Sequence, residues 1–140
     1  MTPEDVDRVV QVARRVHGDT ALSTEFYRLL FERRPDLRLL FPQDMTHQLQ
    51  RFVTEVEGLA VCLPDLSSFE QRAQDLGRRH YDYGVRTEHY PVVREALLDA
   101  LGTHLAPAFD GEDRLAWARA FNLLAEMMLE GAEPVTTPGE

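Results

Sequence analysis

The chain has 140 residues and a formal net charge of −9, enough for one domain that buries about two-thirds of its unfolded surface. Its basic residues are all arginine and are scattered among acids, so with no basic patch the chain reads as a poor binder of nucleic acid or of an anionic membrane. No apolar run reaches the ~18 residues of a membrane span, the N-terminus lacks a leader pattern, and Cys62 is alone, so a reducing cytoplasm is expected.

The periodicity is helical throughout, with no sustained alternation and no repeat. Thr2-Pro3-Glu4-Asp5 opens a first helix, with a capping threonine, proline in the first turn and acids against the dipole. It carries Val6, Val9, Val10 and Val12 towards His17, and Gly18-Asp19 ends it. A second helix spans Thr20 to Arg34, with Leu22, Phe26, Leu29, Leu30 and Phe31 as core. Pro35 stops it, and Asp36 to Phe41 makes a short helical turn before Pro42. A third, from Met45 to Leu63, offers Leu49, Phe52, Val53, Val56, Leu59 and Ala60. Pro64-Asp65 separates it from a fourth, Leu66 to Val85, which Gly84 closes. Tyr90 to Leu105 and Arg114 to Leu129 complete the set, with Met127 and Met128 read as core. The domain is expected to occupy 1–133, and the Pro- and Gly-containing tail 134–140 to be disordered.

The fourth helix poses the chemical question. Its apolar stripe reads Phe69, Ala73, Leu76, His80 and Tyr83, while Glu70, Gln71, Gln74, Asp75 and Arg78 face water. An imidazole on a buried stripe needs a partner for each ring nitrogen, and either a hydrogen-bonded core histidine or a metal ligand satisfies that need. The other histidines are too dispersed for a zinc cluster: His17, His47 and His104 are expected to point outward, and His89 starts a helix. Glu4 with Asp5, and Glu55 with Glu57, read as solvated acidic pairs. Cys62 reads as packing. There is no phosphate loop, CxxC, HExxH or nucleophile elbow.

Three stretches in order then resemble one family. Tyr27 stands fourteen residues before Phe41 in STEFYRLLFERRPDLRLLF, His80 ten before Tyr90 in RHYDYGVRTEHYPVV, and Trp117-Ala118-Arg119-Ala120-Phe121 lies in the last helix. Over residues 5 to 133 the chain resembles the bacterial haemoglobins, in the single-domain and flavohaemoglobin branch. The resemblance implies an all-α globin fold, a three-over-three helical sandwich, with haem b between the helix of Gln48 and the helix of His80.

The resemblance makes His80 the iron ligand through Nε2, with the sixth position open to O2, NO or CO. It sets Phe41 flat on the porphyrin and adds Phe52, Val85 and Tyr90 to the haem-contacting residues. Tyr27 and Gln48 become the distal pair, donors to the partial negative charge of a held O2, each worth ~1–3 kcal/mol in a dry pocket. His47 is a rival distal group. In this branch a tyrosine and a glutamate tune the proximal histidine. Tyr90 matches the tyrosine, but the glutamate position falls on Ala132, between Glu130 and Glu133, and Asp82 is a substitute on the polar face. The sequence given ends at Glu140, so an external electron-donating reductase is expected. The leading expectation is O2 binding coupled to nitric oxide dioxygenation. The alternatives are O2 storage or delivery, weak peroxidase activity, a haem-based gas sensor, or a haem-free helical interaction module. Relatives self-associate through their last helices, which puts a homodimer among the expected states.

Overall fold

The computed structural model describes residues 1–132; Glu133 and the tail expected at 134–140 lie outside the described residues. Among the described residues six α-helices and one 3-10 turn follow in order: α1 (Pro3–Arg15), α2 (Thr20–Arg33), the 3-10 turn (Pro35–Leu40), α3 (Thr46–Cys62), α4 (Leu66–Asp82), α5 (His89–Leu105) and α6 (Gly111–Ala132). They form two layers, α1, α3 and α4 in one and α2, α5 and α6 in the other, joined by α4 on α6, α1 on α6 and α2 on α3. This is the three-over-three globin arrangement. No helix among the described residues is long and apolar enough to cross a membrane.

Local chemistry sets the helix ends. Thr2 and Asp5 form a reciprocal capping box at the start of α1. The Asp5 carboxylate also accepts from Arg119 and is 8% exposed, so the solvated reading of Asp5 is wrong: the cap is buried under α6. α6 starts at Gly111 instead of near Arg114 because Asp110 and Asp113 exchange backbone-to-carboxylate bonds of 2.8 and 3.2 Å. The Asp-x-x-Asp spacing was the available signal.

α6 also runs past Leu129, through a glycine. Gly77 of α4 lies on the backbone of Met128, and Gly131 of α6 lies on the backbone of Gln74. A Cβ at either position would drive into a carbonyl group. The two glycines therefore let α4 and α6 approach backbone to backbone, and this packing outweighs the weak helix propensity of Gly131.

Further sequence readings need correction. Tyr83 is 68% exposed: α4 ends at Asp82, so the stripe loses its register just before Tyr83. His104 is half-buried, its Nε2 2.7 Å from Asp19 Oδ2. Glu55 and Glu57 are half-buried and paired with Arg72 and His17 respectively.

Candidate functional site

Tyr27 projects from α2 and is 6% exposed. Phe26, Phe31, Phe41 and Phe52 surround it, with ring centroids 4.9, 5.6, 5.3 and 5.4 Å away. Phe52 also stacks on Phe26 at 4.2 Å. The apolar spacing of α2 placed Phe26 and Phe31 in the core, but that they wall Tyr27 was not legible from it.

Gln48, in the first turn of α3, donates its Nε2–H to Tyr27 Oη at 2.9 Å. The phenol therefore accepts from Gln48, and its own O–H has no acceptor among the described residues. Burial pushes the Tyr27 pKa up to about 12, against a smaller downward effect of the Gln48 bond. The hydroxyl thus stays protonated across the physiological range and offers a proton to any acceptor admitted beside it. The pairing is held by a contact the sequence did not reveal: Ser23, fully buried one turn before Tyr27, donates to the carbonyl of Leu49 at 2.7 Å. That bond fixes α2 to α3 next to the Tyr27–Gln48 pair. The rival distal residue His47 is exposed and makes no such bond.

On α4, His80 is half-buried, and its Nδ1 lies 2.9 Å from the carbonyl oxygen of Leu76. A carbonyl only accepts, so Nδ1 carries the hydrogen and Nε2 keeps its lone pair. Nε2 has no hydrogen-bond partner among the described residues. Burial, above all, lowers the pKa of His80; Arg79 lowers it further, while the Leu76 bond and the charge of Glu55 oppose the shift. The imidazole is therefore held neutral, the form that ligates a metal.

The donor set says which kind of metal group fits. No group of three or more His, Cys, Asp or Glu side chains converges to hold a metal ion among the described residues. A lone imidazole cannot retain a bare ion against water, but it suffices for an iron whose other in-plane ligands arrive with a flat ring. An aromatic wall suits such a ring, and Phe41, Phe52 and Val85 are half-buried against the core. The residues fit haem.

The proximal relay that the resemblance implies is not assembled among the described residues. Tyr90 is 8% exposed, and burial raises its pKa. No hydrogen bond joins its hydroxyl to His80 or to a carboxylate among the described residues. Glu130 is exposed and accepts from Gln74 Nε2 at 3.4 Å. Ala132 ends α6, and Asp82 is exposed.

Fold and site together define an all-α protein of globin architecture, with a lone neutral imidazole and an aromatic wall that fit a flat, metal-bearing group. A model of the Globin family matches residues 24–128, and the chain belongs to that family. Membership implies haem binding. Among its relatives, a flavohemoprotein of Chromobacterium violaceum is 34% identical over 81% of this chain. The match covers 28% of that protein's length. A globin-like protein of Aquifex aeolicus is 29% identical over 92% of this chain and 93% of its own. Among solved structures, an engineered carbene transferase of Rhodothermus marinus, provisionally named a nitric oxide dioxygenase, superposes with a TM-score of 0.84. It shares 26% identity over 94% of this chain and 93% of its own.

Proposed function

We propose that this chain is a haem-b protein that binds O2, and NO and CO at the same place, and that it converts NO to nitrate when a separate reductase supplies electrons. The observation that carries the reading is the Gln48–Tyr27 bond at 2.9 Å, because it occupies the acceptor side of the phenol and leaves its proton for a ligand. Haem, when bound, supplies an iron with one position open to a diatomic gas.

The chain's own residues do the rest. His80, its ring fixed by the Leu76 carbonyl, would hold the iron through the lone pair of Nε2. Tyr27, protonated and with its acceptor side taken by Gln48, would donate its O–H to an O2 admitted beside it. Gln48 holds the phenol in place, and the four phenylalanines exclude water, which strengthens that donation. NO and O2 combine with one electron to give nitrate, so each turnover needs one electron from outside the chain. The relatives named flavohemoprotein and the structure provisionally named a nitric oxide dioxygenase support this choice. A cytoplasmic location, where reductases are at hand, is part of the same proposal. A second reading, O2 storage or delivery without turnover, is favoured by Glu130 bonding Gln74 and not Tyr90.

The test is a visible spectrum of the haem-reconstituted protein, ferric, reduced, and then exposed to O2 and CO. A sharp Soret band with a stable O2 complex is expected, and the absence of a Soret band would overturn the haem reading. NO consumption in the presence of a reductase then separates dioxygenase from carrier.

A further inference from the structure

The two helices that flank the proposed haem site are joined by a short corner, residues 63–65, and, touching each other only sparsely, open from it as the arms of a V. Gln48 and His80 stand 15 residues from the corner on the two arms, about 22 Å along each helix. Between corner and site one ion pair crosses the V. Arg72 of α4 lays its guanidinium fork on the carboxylate of Glu55 of α3, with Nε to Oε1 at 3.1 Å and Nη2 to Oε2 at 3.2 Å. Its third nitrogen lies 4.0 Å from Cys62 Sγ. Two parallel N–H···O bonds fix both distance and orientation, which one bond would not do.

The sequence makes room for this crossing. The Arg72 guanidinium passes over Gly58, where a Cβ would collide with it. Glu55 lies one turn beyond Phe52 and two beyond Gln48, so the three share one stripe of α3. Arg72 precedes Leu76, whose carbonyl holds His80, by one turn. The pair is thus rooted in the same faces that carry the distal and proximal residues.

We propose that Glu55 and Arg72 are positioning residues: a charge-neutral clasp across the V that sets the spacing of α3 and α4 and keeps net charge away from the iron. The inference rests on the haem reading above. The clasp stands seven residues from the corner on α4, about 10 Å along the helix. A displacement there is about doubled at the level of His80 by the lever of the arm. Its neutrality matters because an uncompensated charge near the site shifts the balance of ferric and ferrous iron, negative charge favouring ferric.

The test uses the haem-loaded 140-residue chain and two readouts, haem transfer to excess apomyoglobin and the midpoint potential of the iron. Glu55→Gln and Arg72→Gln are each expected to speed haem loss about fivefold, the scale of a well-formed, partly exposed bidentate pair. Their potentials are expected to move in opposite directions, upward for Glu55→Gln, which bares the arginine, and downward for Arg72→Gln, which bares the glutamate. A purely structural role would loosen the site in the same way in both and move the potentials together. The charge-reversed double variant E55R/R72E should return both readouts towards wild type. Gly58→Ala displaces the fork while keeping both charges and the helix, so haem loss should rise with a smaller change in potential. Potentials shifting in the same direction, or haem loss unchanged in all four variants, would overturn the clasp alone. A wild-type protein with no Soret band would overturn the clasp and the haem reading together.

Discussion

Replacing Tyr27 with phenylalanine removes one hydroxyl and keeps the ring that fills the site. The four phenylalanines 4.9 to 5.6 Å from its ring contact carbon that the substitution keeps. What goes is the hydroxyl that accepts from Gln48 at 2.9 Å and whose proton is otherwise unclaimed. A hydrogen bond to an acceptor that gains negative charge, in a site closed to water, is worth about 1.5–3 kcal/mol. At about 1.4 kcal/mol per decade, the dissociation of O2 should accelerate tenfold to a hundredfold. CO carries little charge when bound, so its dissociation should change by less than about threefold. Gln48 is half-buried and can turn to water, so the melting temperature should fall by no more than about 4 °C. Stopped-flow displacement of O2 by CO gives the first rate, and displacement of CO by NO the second. Equal O2 dissociation in wild type and Tyr27→Phe would refute the reasoning and remove Tyr27 from the ligand. A large rise for both gases would show a collapsed pocket in place of a lost donor.

The remaining predictions concern His80 and the helix crossing. His80→Ala should abolish stable haem retention while far-UV circular dichroism still reports a helical protein; full haem binding in that variant would exclude His80 as ligand. Burial holds the pKa of His80 below its ordinary value of 6.5. Below that pH the unfolded chain takes up a proton that the folded chain resists, so the contribution to stability is present above 6.5 and lost as pH falls. Urea midpoints of the haem-free protein at about pH 7.5 and about pH 5 should therefore differ less in His80→Leu than in wild type, and an equal difference would contradict the assignment. Gly77→Ala should lower the melting temperature by about 4–10 °C despite the better helix propensity of alanine, because the new methyl meets the Met128 carbonyl and a backbone cannot step aside. An unchanged melting temperature would mean that α4 and α6 are not held at this spacing.

Helix count and order were legible in the sequence because each is written locally. Proline at the first turn of α1, Pro35 after α2, Pro64 after α3 and Gly84 after α4 act within a few residues, and the 3.6-residue period marks each buried face. His80 stood out for the same reason, as a polar ring on an apolar stripe, and the expectation that Tyr27 and Gln48 act as a pair came from the ordered resemblance. Tertiary structure decided what depends on two elements meeting. Asp5 is buried because α6 lies over it, and α6 runs through Gly131 because Gln74 of α4 packs there. Gln48 finds Tyr27 because Ser23 ties α2 to α3, and Arg72 finds Glu55 because Gly58 leaves it a path. Periodicity along one helix says which side chains turn inward but carries no record of what they face, and each of these contacts joins residues of different helices. The choice of partner belongs to the packing of α-helices on one another, where a missing Cβ or a single serine hydroxyl sets the distance.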